Sequence, residues 1–180
     1  MKKKEITLSN GLVTLVDDRD FKRVLAAGPW HARHSRHTTY AQRHICKPDG
    51  KKTTQQMHRF ILGLTDPKIL TDHQDRNGLH NWRENIRPAT NSQNIANQRP
   101  RSDGGSSYRG VSYHKQRRKW CATIGVNRRH IHLGLFTDEV AAARAYDAAA
   151  REHFGGFANL NFPPKKPAVS DAALDVERAC

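Results

Sequence analysis

The stretch "DEVAAARAYDAAAREHF", residues 138–154, limits the fold more than any other part of the chain. Alanine is the strongest helix former, and a helix this dense in methyl groups lets another surface approach closely. The three runs before it, "SSYRGVSYH", "KWCATIGV" and "HIHLGLF", are strand-like and are separated by the basic turns "KQRR" and "NRR". Thr137 is expected to cap the helix, with Asp138 and Glu139 in its first turn, where the helix dipole favours acidic groups. Three antiparallel strands crossed by one helix make a unit of about 60 residues, near the lower limit for independent stability. Tyr146 and Phe154 belong to the core of that helix.

Upstream, "NQRPRSDGGSS" (97–107) is rich in Pro, Gly and Ser and reads as a joint. Only 36% of the 180 residues are hydrophobic, so two small cores fit better than one large one. The resulting division is a first domain over 1–98, a linker over 99–107, a second domain over 108–163 and a tail over 164–180. Within the first domain, "EITLSNGLVTLVDD" alternates around Asn10-Gly11, a hairpin signal. "FKRVLAAG" reads as a helix stopped by Gly28. "TTYAQRHICKPDGKKTTQQ" is a second hairpin with Pro48-Asp49-Gly50 as its turn, and "MHRFILG" is a short apolar helix or strand.

Lysine and arginine number 31 against 17 acidic residues, a net charge of +14. Such a chain attracts polyanions, nucleic acid foremost. Residues 1–98 carry 17 basic and 9 acidic side chains and residues 99–166 carry 13 and 5, so both halves could meet the same polyanion. The cysteines Cys46, Cys121 and Cys180 are isolated and form no CxxC pair. That argues against a disulfide framework and against structural zinc, and suits a reducing cytoplasm. The N-terminus lacks the apolar core of a signal peptide, and no segment reaches the length of a membrane span.

The segment "TDHQDRNGLHNWRENIRPATNSQN", residues 71–94, is too rich in asparagine to be built for packing. "ENIRPAT" is a plausible strand, and Thr90 to Gln93 has capping-box spacing, so a helix should open at Thr90. A hairpin pinned on a helix can bring the Asp72 carboxylate and the Asn94 amide oxygen to one hard cation. His73, beside Asp72, could then take a proton from an attacking water. A plain surface Asp-His pair is the competing reading.

"MHRFILG" followed by "TDHQDRNGLHNWRENIRPATNSQNIANQ", about residues 57–98, resembles the HNH endonuclease motif of phage and intron-encoded homing nucleases, members of the His-Me finger (ββα-metal) group. Carried over by position, the resemblance implies a catalytic His73 acting as general base and Asp72 and Asn94 as metal ligands. It makes Asn85 a brace for the His73 ring or for the loop between the strands. His58 would be a supporting residue or a packed structural histidine, and Asn77 and Asn81 would shape the loop. Arg59, Arg83 and Arg87 would hold DNA phosphates or stand as solvated charge. The implied cofactor is one Mg²⁺ or Mn²⁺ per active site, with no structural zinc.

The second domain, "YRGVSYHKQRRKWCATIGVNRRHIHLGLFTDEVAAARAYDAAAREHFGGFANLNFP", is similar to the plant ethylene-response-factor (apetala-class) DNA-binding domain. In that family the three-stranded sheet enters the major groove and the helix supports it from behind. The resemblance implies DNA contacts from Arg109, Arg117, Arg118, Trp120, Arg128 and Arg129, Arg109 and Trp120 foremost, with core burial as the alternative for Trp120. Ser112 and His114 stand where arginines are usual, so a GC-rich preference does not carry over.

The expected fold class is therefore α+β: a ββα-metal HNH nuclease domain followed by a small three-stranded antiparallel sheet packed on one helix. The expected function is a sequence-directed, homing-type DNA endonuclease, a monomer acting on double-stranded DNA in the cytoplasm of a bacterial or phage-infected cell. The alternatives are a non-catalytic DNA-binding transcription regulator with a degenerate HNH half, and a basic structural RNA-binding protein.

Overall fold

The computed structural model describes residues 2–35, 38–98 and 105–164. Most of the expected linker and nearly all of the expected tail, Cys180 included, lie outside the described residues. Among the described residues the fold is mixed α+β, with four antiparallel sheets and a long helix after the last strand.

The chain opens with strands β1 (Lys3–Thr7) and β2 (Val13–Asp17), paired from Lys3↔Asp17 to Thr7↔Val13. Asn10-Gly11 sits in their connection. The Asn10 side chain pairs with the backbone of Ala32, accepting from its N–H at 3.0 Å and donating to its carbonyl at 2.9 Å. One amide thus ties the first hairpin to β3 (His31–His34). Between them runs α1 (Asp18–Ala26). Strands β3, β4 (Thr39–Cys46) and β5 (Lys52–Gln56) form an antiparallel sheet in that order. Helix α2 (Met57–Leu62) follows without a break and ends on Gly63 in the left-handed conformation, so "MHRFILG" resolves as a helix with a glycine stop.

Next come β6 (Leu70–His73) and β7 (Ile86–Ala89), an antiparallel pair, and α3 (Asn91–Asn97). The Thr90 capping box is present on both arms: its hydroxyl accepts from the Gln93 N–H at 3.2 Å, and Gln93 Oε1 accepts from the Thr90 N–H at 2.8 Å. A core of Ile6, Leu8, Val16, Val24, Trp30, Ala32, Ala41, Met57, Ile61 and Ile86 unites β1 to β4, α1, α2 and β7.

The last portion contains β8 (Val111–His114), β9 (Lys119–Val126) and β10 (Arg129–Phe136), with β9 central, then α4 (Glu139–Phe154) and a single 3-10 turn, Gly155–Phe157. The α4 cap is Asp138, whose carboxylate accepts from the Ala141 N–H at 2.7 Å, so the helix begins one residue later than a Thr137 cap requires. Gly110 is obligatory. Its φ is +73°, and a Cβ there would lie 2.1 Å from the Tyr146 ring. Alternation along β9 sends Trp120, Ala122 and Ile124 towards α4, where Ala142, Ala143, Ala149 and Ala150 are buried against the sheet. Ala96 of α3 belongs to the same core as Ile124, Tyr146 and Phe154. No helix of the described residues is long and apolar enough to cross a membrane.

Candidate functional site

Two places carry the residues singled out by sequence: the loop joining β6 to β7, and the exposed side of the β8–β10 sheet. At the first, β2 is the organiser. Leu15 pairs with the loop backbone on both sides, its N–H donating to the Leu79 carbonyl at 2.9 Å and its carbonyl accepting from the Asn81 N–H at 2.7 Å. The Thr14 hydroxyl donates to the same Leu79 carbonyl at 2.6 Å and accepts from the Asn81 amide at 2.9 Å. Asn81, fully buried and oriented in this way, presents its Oδ1 to His73 Nε2 at 3.2 Å. His73 therefore carries its proton on Nε2.

The residue that holds His73 is thus Asn81, assigned by sequence only to loop shape. Asn85 does the other task foreseen for it. Its amide donates to Asp75 at 2.9 Å and to the His80 carbonyl at 2.8 Å, and its oxygen accepts from the Asp75 N–H at 3.0 Å, bracing the loop. Burial would raise the Asp75 carboxyl, but the Asn77 backbone amide, His80 and Asn85 outweigh it and hold the carboxyl below its usual range.

Burial lowers the affinity of His73 for a proton, partly opposed by its bond to Asn81. His58 is 2% exposed, stands edge-on to His73 and has no hydrogen-bond partner on Nδ1. Desolvation, and then the neighbouring His73 and Arg59, push its pKa down to about 3. It is a packed neutral imidazole.

Asp72 is placed differently from expectation. Oδ2 accepts from Arg87 Nε and Nη2 at 3.0 and 2.8 Å, and Oδ1 accepts from Asn97 Nδ2 at 2.8 Å. Asn97, one helical turn beyond Asn94, is the α3 amide that reaches Asp72, and it also donates to the His73 carbonyl at 2.8 Å. Asn94 does not join the group. Among the described residues no three His, Cys, Asp or Glu side chains are gathered as a metal would need. The arrangement does not fit the Mg²⁺ or Mn²⁺ centre expected: the carboxylate already faces a guanidinium, which a cation would have to displace. The other arginines offered as phosphate contacts are also engaged. Arg59 donates to the carbonyls of Ile69 and Asp66, and Arg83 forks onto Asp20 at 2.7 and 2.9 Å.

On the β8–β10 sheet, the side turned from α4 carries Ser112 and His114 of β8, Lys119, Cys121, Thr123 and Gly125 of β9, and His130, His132 and Leu135 of β10. Most of these are exposed. Its two ends are basic turns. Arg117 and Arg118 lie at one, Arg128 and Arg129 at the other, and all four are exposed. The tight turn Asn127-Arg128 has positive φ at both residues, the geometry that matches strand twist.

Two expected contacts are corrected here. Trp120 lies on the helix side, with Tyr113 edge-on at 5.0 Å and Phe136 beside it as its register partner. Arg109 points inward: Nε donates to the Tyr146 hydroxyl at 2.6 Å, Nη2 to the Ile95 carbonyl at 2.6 Å, and Nη1 to the Gln98 carbonyl. For Trp120 the alternation of Trp120, Ala122 and Ile124 was the available signal. For Arg109 there was none, because its acceptors lie at two helices distant in sequence, α3 and α4.

No family model matches the chain. It is similar to "APETALA2-like protein 2" of Oryza sativa, 49% identical over 63 residues, which is 34% of this chain and 14% of that protein. It is also similar to two Arabidopsis thaliana proteins. "AP2-like ethylene-responsive transcription factor AIL7" is 40% identical over 80 residues, 42% of this chain and 16% of that one. "Ethylene-responsive transcription factor WRI1" is 41% identical over 63 residues, 34% and 15% respectively. The chain therefore spans about a sixth or less of the length of these curated relatives. The similarity supports the ethylene-response-factor part of the sequence reading. Relatives named as transcription factors overturn the expectation of a metal-dependent nuclease, and they lend nothing to the HNH resemblance of residues 57–98.

Proposed function

We propose that the protein is a DNA-binding regulator that meets double-stranded DNA with the outer side of the β8–β10 sheet. The observation that carries this reading is the pairing of an exposed polar sheet face with basic turns at both of its ends. Arg117 and Arg118 at one end and Arg128 and Arg129 at the other would neutralise phosphates. Between them Ser112, Lys119, Thr123, His130 and His132 present donors and acceptors of the size that reads base edges in a groove. Similarity to proteins named as transcription factors supports the same reading. In it Arg109 and Trp120 hold the sheet in place and touch no DNA. One copy carries the whole surface, so a monomer suffices.

Selection of bound sites from random duplexes, followed by mobility-shift titration, tests the proposal. A Gly125→Glu variant puts a carboxylate on the central strand of the sheet face, beside the basic Asn127-Arg128 turn, where the nearest atom to a new Cβ is 3.8 Å away. It should fold normally and bind at least about tenfold more weakly. Failure to enrich any duplex, or equal binding by the variant, would sink the idea.

A further inference from the structure

Each portion of the molecule sends an arginine to the backbone carbonyls of the other. Arg109, just before β8, places two donors on the Ile95 and Gln98 carbonyls at the C-terminal end of α3, and a third on the Tyr146 hydroxyl. The Ile95 carbonyl also accepts from the Gln98 cap N–H at 3.1 Å, and the Gln98 carbonyl lies past the last helical turn, so a cation there uses lone pairs left over at the helix end and meets its negative pole. In the opposite direction, Arg87 on β7 donates to the Gly156 carbonyl at 3.0 Å, just beyond α4, and lies 3.5 Å from the Phe157 ring centroid. Asp72 aims it, taking its two remaining donor groups on Oδ2.

Three further contacts reinforce the pair. The Ser92 hydroxyl donates to Asn127 Oδ1 at 3.2 Å and accepts from the Asn127 N–H at 3.0 Å, fastening the β9–β10 turn to α3. The Asn159 amide donates to the Gln98 carbonyl at 3.0 Å. Ala96 enters the α4 core, so the seam has an apolar floor. A seam with hydrogen bonds in both directions and shared core residues does not behave as a loose tether.

We infer that Arg87 and Arg109 are positioning residues that make the two portions one preorganised body, and that this body binds DNA without the portions parting. The inference rests on the proposed DNA-binding reading and deepens it. Asp72 thereby has a role in aim: it holds the Arg87 guanidinium at the angle that reaches Gly156. Preorganisation of this kind removes an ordering cost at binding.

The test is a disulfide across the seam. Ser92→Cys with Asn127→Cys, in the full chain with Cys46, Cys121 and Cys180 replaced by serine, should oxidise under mild conditions. The locked protein should bind a selected duplex within about twofold of its own reduced form, as expected when partners change little on binding. Failure of the pair to oxidise, or locked protein binding more than about tenfold more weakly than reduced protein, overturns the inference.

A second measurement avoids engineered thiols. The parent should unfold in one thermal transition, whereas Arg87→Ala with Arg109→Ala should split it in two and speed amide exchange at α3 and at residues 155–157, with β9 still protected. Lysine at both positions should rescue only in part, since an ammonium cannot span the same acceptors. One unsplit transition with parental exchange in the alanine variant counts against the clasp. If neither redox form binds any duplex, the DNA-binding reading has failed, while oxidation and unfolding still judge the clasp itself.

Discussion

The His73 ring stands at 89° to the His58 ring, with 5.0 Å between their centroids, and both imidazoles are buried. Two neutral rings can share that space, but two cations cannot.

Acid should therefore unfold the protein earlier than its carboxylates alone require. Burial lowers the pKa of both rings below the ordinary 6.5, His58 to about 3. Because the unfolded chain binds these protons more readily, the stability they contribute is complete above about pH 6.5 and declines as pH falls from there towards about 3. Melting temperature measured from pH 7.5 to 5 should drop. His58→Leu, which keeps the volume and removes the unpartnered nitrogen, should flatten the slope. Parallel pH profiles for the two proteins would refute it.

Asp20 anchors a second charge group. It is buried and receives Arg83 at 2.7 and 2.9 Å and Arg23 at 2.9 Å. Burial alone would raise its pKa, yet the two arginines keep it below the usual value. Asp20→Ala should cost about 2 kcal/mol, discounted for the partial exposure of both arginines, as read by chemical denaturation. A change under about 0.5 kcal/mol would show that solvent replaces the carboxylate.

Gly110→Ala should be among the most damaging single changes in the chain. The new Cβ would meet Tyr146 ring carbons at 2.1 and 2.5 Å and the Thr123 carbonyl at 2.6 Å, with φ at +73°. Strain and overpacking together imply a loss of about 3 kcal/mol or more. Gly125→Ala, on the open sheet face, should stay within about 0.5 kcal/mol. Thermal unfolding of the two variants side by side decides it.

Replacing Arg117, Arg118, Arg128 and Arg129 singly by glutamine should weaken DNA binding about equally for every sequence. Each should lower the slope of log affinity against log salt by about one. Arg109→Gln should leave the slope unchanged, because its guanidinium is committed to carbonyls within the protein. A slope change at Arg109 equal to the others would return it to the DNA surface.

Local chemistry was legible in the sequence wherever a few adjacent residues decide the outcome. Asn10-Gly11 marked its turn, Thr90 and Gln93 marked the start of a helix, and the alanines of α4 marked a helix meant to lie close against a sheet. What could not be read was which of several like side chains would meet. Asn94 and Asn97 are one helical turn apart and share a face, so spacing cannot tell which reaches Asp72. Asn81 and Asn85 flank one short bend, and only the arrival of Thr14 and Leu15, more than 60 residues earlier, gives His73 to Asn81. Arg109 shows the same limit: a motif can place an arginine before a strand, but the acceptors that claim it belong to another part of the chain.

A portable domain is ordinarily one whose polar needs are met at home. Here the segment around β8 to α4 borrows the last carbonyls of a preceding helix for Arg109 and lends Gly156 in return. Grafted behind an arbitrary host, Arg109 would keep the Tyr146 hydroxyl and exchange two helix carbonyls for water, so a transplant that brings a helix ending at the same distance upstream keeps the arginine fixed.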